Sequence, residues 1–463
     1  MRIAWFSPLP PHRSGIAAYS GEILACLTSH AIDAFVDDGP GRHAVAEARP
    51  IPGVPVHGAH DFVWRHARHP YDLVVYQLGN ALCHDYMWPY MVRYAGLVVL
   101  HDAQLHHARA RALILQHREA DFRAEFAYSH PEAEGRLADL TVAGLGGTLC
   151  YLWPMVRIPV EAAKVVAVHN AYLARELERE FPGRLIRHLH MGVPDGVAAT
   201  AASASEVRRR HGIPDSAVVF GVVGRVTPEK GLTRVLMALA QVAPSVPGIR
   251  LLVVGEEPAY FDVMAQAREM GVAEFVTTTG YVDDAALPEY LAAVDVTLNL
   301  RWPTGRETSA AWIRCLAAGK PTVITDLVHL TDVPSLDLRS MNVACTSSAA
   351  QDPVCVHVEL IDDINMLRLV LRRLTEDPAL RDALGRAARR YWAEHATMAL
   401  MARDYEAAIS TAATVPAPAK PYAWPAHLTA DGTGKARALT AAAGARYPLE
   451  PDSTARTTSA ERA

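Results

Sequence analysis

The feature that most constrains this chain is a rhythm of short apolar runs alternating with helical segments, sustained, broken and then resumed. The first set comprises Ile3–Phe6, Leu73–Tyr76, Gly96–Leu100 and Val165–Val168, with helical segments at Ile16–Leu27, Arg109–Glu125 and Ala171–Glu180. Short unbroken apolar runs predict strands buried on both faces, and strands alternating with helices predict a parallel sheet covered on both sides. The rhythm stops at Met191-Gly192-Val193-Pro194-Asp195 and the Ala/Ser stretch 198–205, which read as turn and low-complexity linker. It resumes with Val218–Val223, Arg250–Val254, Phe275–Thr278, Val296–Leu300 and Pro321–Ile324. The helices between these strands start near Leu232, Ala259, Leu287 and Ser309, and the set closes with helices at Asp363–Leu374, Pro378–Tyr391 and Met398–Ile409. The prediction is an α/β chain of two doubly wound domains, 1–195 and 216–390, joined by a linker at 196–215 and followed by a helix at 391–411. Beyond Thr411, Pro416, Pro418, Pro421 and Pro425 come in quick succession without apolar period. Residues 412–463 are expected to form a disordered or loosely docked tail, with Tyr422 and Trp424 as its anchors.

Composition narrows the function. With 50% hydrophobic and 21% charged residues among 463, the chain can bury real cores. A net charge of −5 argues against nucleic acid as a partner, while leaving room for a local basic pocket. The cysteines Cys26, Cys83, Cys150, Cys315, Cys345 and Cys355 form no C-x-x-C pair, which speaks against a zinc or redox motif and fits a reducing compartment. The N-terminus lacks the apolar core and cleavage site of a signal peptide. The longest uncharged run, Leu140–Val156, is interrupted by Gly144, Gly146, Gly147 and Pro154, a poor membrane span that is expected to be buried or to line a cleft. A cytoplasmic location follows as the expectation, with peripheral contact at the inner face of a membrane allowed. The Ala- and Arg-rich composition suggests a GC-rich bacterial gene.

Three strand ends carry chemistry. In the segment 218–231 a strand ends at Gly224, Arg225 and Lys230 flank a short loop, and a helix begins past Gly231. The carboxyl end of a parallel strand is where open α/β sheets bind ligands, and two cations there suit a diphosphate. The plainer reading is two solvated charges beside a turn; the P-loop pattern G-x-x-x-x-G-K-[ST] is absent. The loop Pro8–Tyr19 joins the first strand to the first helix, where Gly15 permits close backbone approach and the helix start favours anions. His101 and Asp102 follow the apolar strand ending at Leu100. Among 21 histidines, His106 and His107 are weaker candidates, His84-Asp85 reads as surface, and no third ligand has convincing spacing for zinc.

These segments, with the strand–loop–helix Leu298–Pro321, resemble glycosyltransferase family 4. The resemblance covers about residues 1–410, is specific in the second domain and is looser between about 105 and 165. It implies the GT-B fold: two facing Rossmann-like doubly wound domains with the active site between them and a C-terminal crossover helix, which His395–Tyr405 is similar to. It implies that Arg225 and Lys230 hold the donor diphosphate beside Gly224, and that the Gly15 loop approaches donor phosphate and acceptor. It further implies that His101, with Asp102 next to it, lies against the donor sugar. The N–H groups of Thr308, Ser309 and Ala310 would point at the diphosphate, and Glu307 would accept from sugar hydroxyls. Val165–Ala171 and Arg187–Pro194 resemble the end of the family's first domain.

The family usually places glutamates at two positions that fall here on Arg306 and Arg314, with Glu307 displaced by one. Since arginine cannot accept a hydrogen bond, ribose recognition and base identity stay open. The implied activity is a retaining, hexosyltransferase-like reaction that moves a sugar from a UDP- or GDP-linked donor to a hydroxyl of a carbohydrate or lipid-linked acceptor. It would need no metal and no other cofactor, and would serve polysaccharide or glycolipid biosynthesis. The alternatives are a non-catalytic nucleotide-sugar-binding protein of the same fold and, less favoured, a sugar-nucleotide epimerase or a phosphorylase.

Overall fold

The computed structural model describes residues 1–39, 44–196, 200–345, 352–430, 438–439 and 441–442. The first sheet contains β1 Arg2–Phe6, β2 Ala31–Val36, β3 Val56–Gly58, β4 Leu73–Leu78, β5 Leu97–Leu100, β6 Val165–Val168 and β7 Ile186–His188. Its order is β3-β2-β1-β4-β5-β6-β7, and all its pairs are parallel. The second contains β8 Val218–Val223, β9 Ile249–Val254, β10 Val276–Thr278, β11 Val296–Asn299, β12 Thr322–Thr325, β13 Ser335–Asp337, β14 Asn342–Ala344 and β15 Cys355–Val358. Its order is β10-β9-β8-β11-β12-β15-β13-β14, parallel except for the β13–β14 pair.

The unbroken apolar runs become the central strands because only a sheet covered on both faces buries every side chain. All of Leu73–Leu78 and all of Thr322–Thr325 are buried. The strands the sequence does not announce are the outer ones. Β2 carries Asp33 among its apolar residues, where it accepts from Arg2 at 3.0 Å and from the Tyr71 hydroxyl at 2.5 Å.

The strand order of the first sheet reverses between β1 and β4, and the second sheet has the corresponding reversal between β8 and β11. Loops leaving the carboxyl ends on either side of such a reversal diverge and open a crevice. The loops after β1, β4, β8 and β11 are therefore the ones the topology makes available for a ligand.

The segment 391–411 is not one helix. Helix Pro378–His395 ends, and helix Met398–Thr414 starts anew with Thr397 as its cap, Oγ1 accepting from the Leu400 N–H at 3.3 Å. The second helix belongs to the first domain's core. Met401, Tyr405, Ala408, Ile409 and Ala412 are buried in one apolar cluster with Ile3, Trp5, Tyr19 and Val99. Of the two expected anchors in the tail, one is buried and one is not. Trp424 and Leu428 are buried against the first domain, and the Trp424 indole donates to Glu161 at 2.9 Å, while Tyr422 is exposed. Residues 431–437, 440 and 443–463 of the expected tail, and linker residues 197–199, lie outside the described residues. The expected helix Arg109–Glu125 is two, His106–Leu115 and Glu119–Ser129, broken where His117 takes a φ of 55°.

Candidate functional site

The loop after β8 is built by close backbone approach. Gly224 has φ 90° and Gly255, at the end of β9, has φ 155°. A Cβ on Gly255 would lie 2.2 Å from the Gly224 carbonyl oxygen, so no other residue fits there. Past Gly224 the chain exposes Arg225, makes a single turn at Pro228–Lys230, and enters helix Leu232–Val242 through Gly231 at φ 66°. That turn folds Lys230 back, and its Nζ donates to the Val223 carbonyl beneath the loop. Burial, and then the charge of Arg301, pulls the Lys230 ammonium down to about 7. A lysine held half-neutral in this way lacks a counter-anion.

The second element is the helix Ala310–Ala317, whose start faces the same pocket. Lys230, Glu307, Ser309 and Ala311 line it together with Asn299, Thr325 and His329. Ser309 caps the helix, its Oγ accepting from Trp312 N–H at 3.3 Å. Among the described residues, the N–H groups of Thr308, Ser309 and Ala310 take no hydrogen bond. They lie at a helix start, where the backbone dipoles favour an anion. Lys230, which lies against Gly224, and Ser309 are thus brought together in one pocket, while Arg225 is exposed and does not line it.

Glu307 is less free than expected. Its Oε1 is 2.9 Å from Arg301 Nε, and its Oε2 accepts from the Thr304 hydroxyl at 3.0 Å. The two arginines at the displaced glutamate positions reach across to the first domain. Arg306, at φ 58°, pairs with Glu176 at 2.6 Å, and Arg314 pairs with Glu22. Three further bonds seat the loop against that domain: Ala103 N–H to Gly305 O at 2.8 Å, Asn170 Nδ2 to Arg306 O at 3.0 Å, and Thr308 Oγ1 to His169 O at 2.9 Å.

On the first-domain side, Gly15 begins helix Gly15–Leu24, with Ser14 as its cap. Gly15 is exposed, and a Cβ added there would meet nothing within 4 Å, so the space before this helix start is open. His101 is buried, with Nε2 2.8 Å from Gln77 Oε1, and its own N–H extends β5 by donating to Leu78 O at 2.9 Å. Asp102 accepts from the Asn80 N–H at 2.8 Å. Burial and the nearby negative charge of Glu307 raise its carboxyl to about 6.

A group whose folded pKa is raised costs stability once pH rises past its unfolded value, and the loss is complete above the folded one. Asp102→Asn is therefore expected to stabilise the chain by about 2 kcal/mol at pH 8, a gain that fades on acidification from about 6 towards 4. Denaturant midpoints across that range check it.

Sequence reasoning missed several residues here. Asn80 bonds Gln104 at 2.9 Å and the Ala108 N–H at 2.9 Å, fixing the loop after β5. Gly79 clears space for Ile16, whose Cδ1 would lie 2.3 Å from an added Cβ; the glycine ending strand Leu73–Leu78 was the available signal. His84-Asp85 is not surface. His84 is buried on the Gln77 carbonyl at 2.9 Å, and Asp85 pairs with Arg109 at 2.6 Å. The uncharged run 140–156 is only partly covered: Gln104 Nε2 bonds the Cys150 carbonyl, but Leu145 and Leu152 are each 68% exposed. Among the described residues no helix is long and apolar enough to cross a membrane.

Residues 217–338 match the family described as glycosyl transferases group 1. A 2-deoxystreptamine glucosyltransferase of Streptomyces kanamyceticus is 29% identical over 30% of this chain and 36% of its own length. The chain thus spans about a third of that relative. A GDP-mannose-dependent phosphatidylinositol monomannoside mannosyltransferase of Mycobacterium tuberculosis is 26% identical over 62% of this chain and 69% of its own length. The fold is shared with Anabaena HepE solved with UDP-glucose, at a TM-score of 0.60, 15% identity, and coverage of 89% of this chain and all of that one. It is shared too with sucrose-phosphate synthase of Thermosynechococcus elongatus, at a TM-score of 0.59, 18% identity, and coverage of 88% and 98%. With its two Rossmann-like sheets the chain has the GT-B fold, and residues 217–338 match the group 1 glycosyl transferase domain.

Proposed function

We propose that the chain moves a sugar from a UDP- or GDP-linked donor to an acceptor hydroxyl with retention of anomeric configuration and without a metal ion. The observation that carries this reading is one pocket at the β8/β11 crevice lined by Lys230 and by Ser309, at a helix start whose N–H groups at Thr308–Ala310 make no hydrogen bond among the described residues. Breaking a glycosidic bond to a diphosphate leaves charge on the departing oxygens. A preorganised cation and helix start act on that charge in an enclosed site, without reorganising during the reaction. Lys230 and Arg225 then supply the positive potential that a divalent ion would otherwise bring. Asp102 and His101 lie on the opposite domain, where the transferred sugar would sit, and closure of the two domains excludes water. The acceptor is a carbohydrate or lipid-linked hydroxyl, in keeping with the glycan and glycolipid chemistry named for the relatives. Peripheral contact with a membrane's inner face and a cytoplasmic location belong to the same reading.

The test is a thermal-shift screen of the full chain against UDP, GDP, ADP, dTDP and their sugar conjugates, with Arg225→Ala alongside. A ligand at one hundred times its dissociation constant adds about 2.7 kcal/mol. A shift with one nucleotide, weakened by Arg225→Ala, together with retained-anomer product formed in the presence of a chelator, supports the reading. A shift without transfer or donor hydrolysis across a broad acceptor panel favours the non-catalytic sugar-nucleotide binder. No shift at all sinks the donor site.

A further inference from the structure

Behind the cleft, polar side chains from four distant segments meet in the interior. Gln77, in the all-buried strand β4, is itself fully buried. Its Oε1 is 2.8 Å from His101 Nε2, and its Nε2 donates to the Tyr405 hydroxyl at 3.1 Å. The Tyr405 hydroxyl is 2.7 Å from that of Tyr19, whose ring stands edge-on to His101 with centroids 4.6 Å apart. A primary amide has one accepting end and one donating end. The Tyr405 hydroxyl lies 3.1 Å from the amide nitrogen and 3.3 Å from its oxygen; with the shorter contact taken from the N–H, the oxygen is turned to the imidazole, and the facing ring nitrogen carries the proton.

The other His101 nitrogen, Nδ1, takes no hydrogen bond among the described residues. His169, centroid 5.1 Å from His101, repeats the pattern. Its Nδ1 is 3.2 Å from the Leu189 carbonyl, and its Nε2 is buried without a partner. Burial, with His169 and His84 nearby, keeps the His101 ring neutral. A neutral imidazole anchored through one N–H offers its second nitrogen as an acceptor.

We propose that Gln77, oriented by Tyr405 of the crossover helix, is a positioning residue that holds His101 as the Nε2–H tautomer and leaves Nδ1 to accept a hydroxyl of the transferred sugar. The proposal rests on the reading that the donor sugar lies against His101. A leucine at position 77 would fill the strand but release the ring in both tautomer and orientation, so that only a minor fraction of molecules would present Nδ1 as the acceptor. The crossover helix thereby supports the chemistry, although its residues stand behind the cleft.

The test is nitrogen-resolved NMR of the full chain labelled at histidine, with the His101 signal identified by its loss in His101→Gln. Near pH 7 the wild type is expected to show a bare Nδ1 and a protonated Nε2. Gln77→Glu, which still accepts from the ring, keeps that pattern; Gln77→Leu and Tyr405→Phe shift it towards a mixture. With UDP-glucose or GDP-mannose as donor, kcat falls about tenfold in Gln77→Leu and a few-fold in Tyr405→Phe, while KM changes little. A wild-type ring protonated on Nδ1, or the wild-type pattern persisting in both Gln77→Leu and Tyr405→Phe, overturns the proposal. If Gln77→Leu does not fold, Tyr405→Phe, which loses a single oxygen, decides alone. A tautomer that shifts with kcat unchanged overturns instead the placing of the sugar against His101.

Discussion

Lys230→Met is expected to lower turnover about 100- to 1,000-fold and, in the same protein, to raise the stability of the unliganded fold. The two effects share one cause. Nζ sits on the Val223 carbonyl with Arg301 as a cationic neighbour. Glu307 answers Arg301, and the Lys230 ammonium is left for an incoming anion to balance. Removing a preorganised charge from a leaving-group site costs rate on that scale. Removing it from an unliganded interior relieves a penalty, since a lysine whose folded pKa is depressed opposes folding wherever it is still charged.

The sign with pH follows. The penalty is full below about 7, where Lys230 is charged in both states, and fades as pH rises towards the ordinary lysine value. Lys230→Met should thus be more stable than wild type by about 2–4 kcal/mol at pH 6, with the gap closing in alkali. Binding carries the same signature. A diphosphate restores the charged lysine, so binding near pH 8 takes up close to one proton, and affinity falls by up to about tenfold per pH unit above 7. Calorimetry in two buffers of different ionisation enthalpy measures the uptake. Lys230→Met abolishes it if Lys230 is the group concerned, and an unchanged uptake would falsify the assignment.

Arg109→Ala is expected to destabilise the first domain by about 3–5 kcal/mol without touching the donor pocket. Arg109 is buried, bonds Glu125 through Nε at 2.7 Å and Nη2 at 2.5 Å, and bonds Asp85 at 2.6 Å. Its guanidinium also lies 4.4 Å from the centre of the Trp88 ring. Glu125 is 0% exposed, and His427 is its other partner at 2.7 Å. Burial works to raise the Glu125 carboxyl; the bonded guanidinium and His427 outweigh it and hold it below the usual range. That stabilisation is present above the unfolded carboxylate value and is lost as pH falls through the acid range. Truncating the arginine leaves a buried carboxylate with only His427 to offset its desolvation, which is why the cost exceeds the worth of the pair. The double change Arg109→Met with Glu125→Leu should recover most of the loss. Denaturant midpoints followed by Trp fluorescence measure both, and a double variant no better than Arg109→Ala would count against the account.

These two residues mark what the sequence discloses and what it hides. Lys230 was legible because everything that places it is local: an apolar strand, a glycine, a short basic loop and a helix lie in one stretch of chain. Arg109 was not, because its partners Asp85, Glu125 and His427 come from separate segments, and a charge on a helix looks the same in sequence whether it meets water or a buried carboxylate. His84 was hidden for the same reason, since its partner is a backbone carbonyl on β4. The parallel sheets could be read from their unbroken central strands, while outer strands such as β2 and β13–β15 were too short or too polar to stand out. On the site's second-domain side, the strand–loop–helix 298–321 was legible as a unit. The pairing of Arg306 and Arg314 with Glu176 and Glu22 depends on how two domains face each other, which no local pattern encodes.

The helix Met398–Thr414 also sets an order of events during synthesis. The apolar cluster holding Ile3, Trp5 and Val99 is completed by Met401, Tyr405, Ile409 and Ala412, and Trp424 and Leu428 close a second cluster with Phe6 and Tyr76. A ribosome delivers residues in sequence, so the domain made first waits for the chain's last helices while the second domain, whose own cluster at residues 220–384 is self-contained, can fold as it emerges. A nascent chain arrested before residue 397 would hold a second domain with that inner cluster formed, while the cluster that Trp312, Leu316 and Trp392 share with the first sheet stayed incomplete, leaving that apolar face as the surface that chaperones must cover.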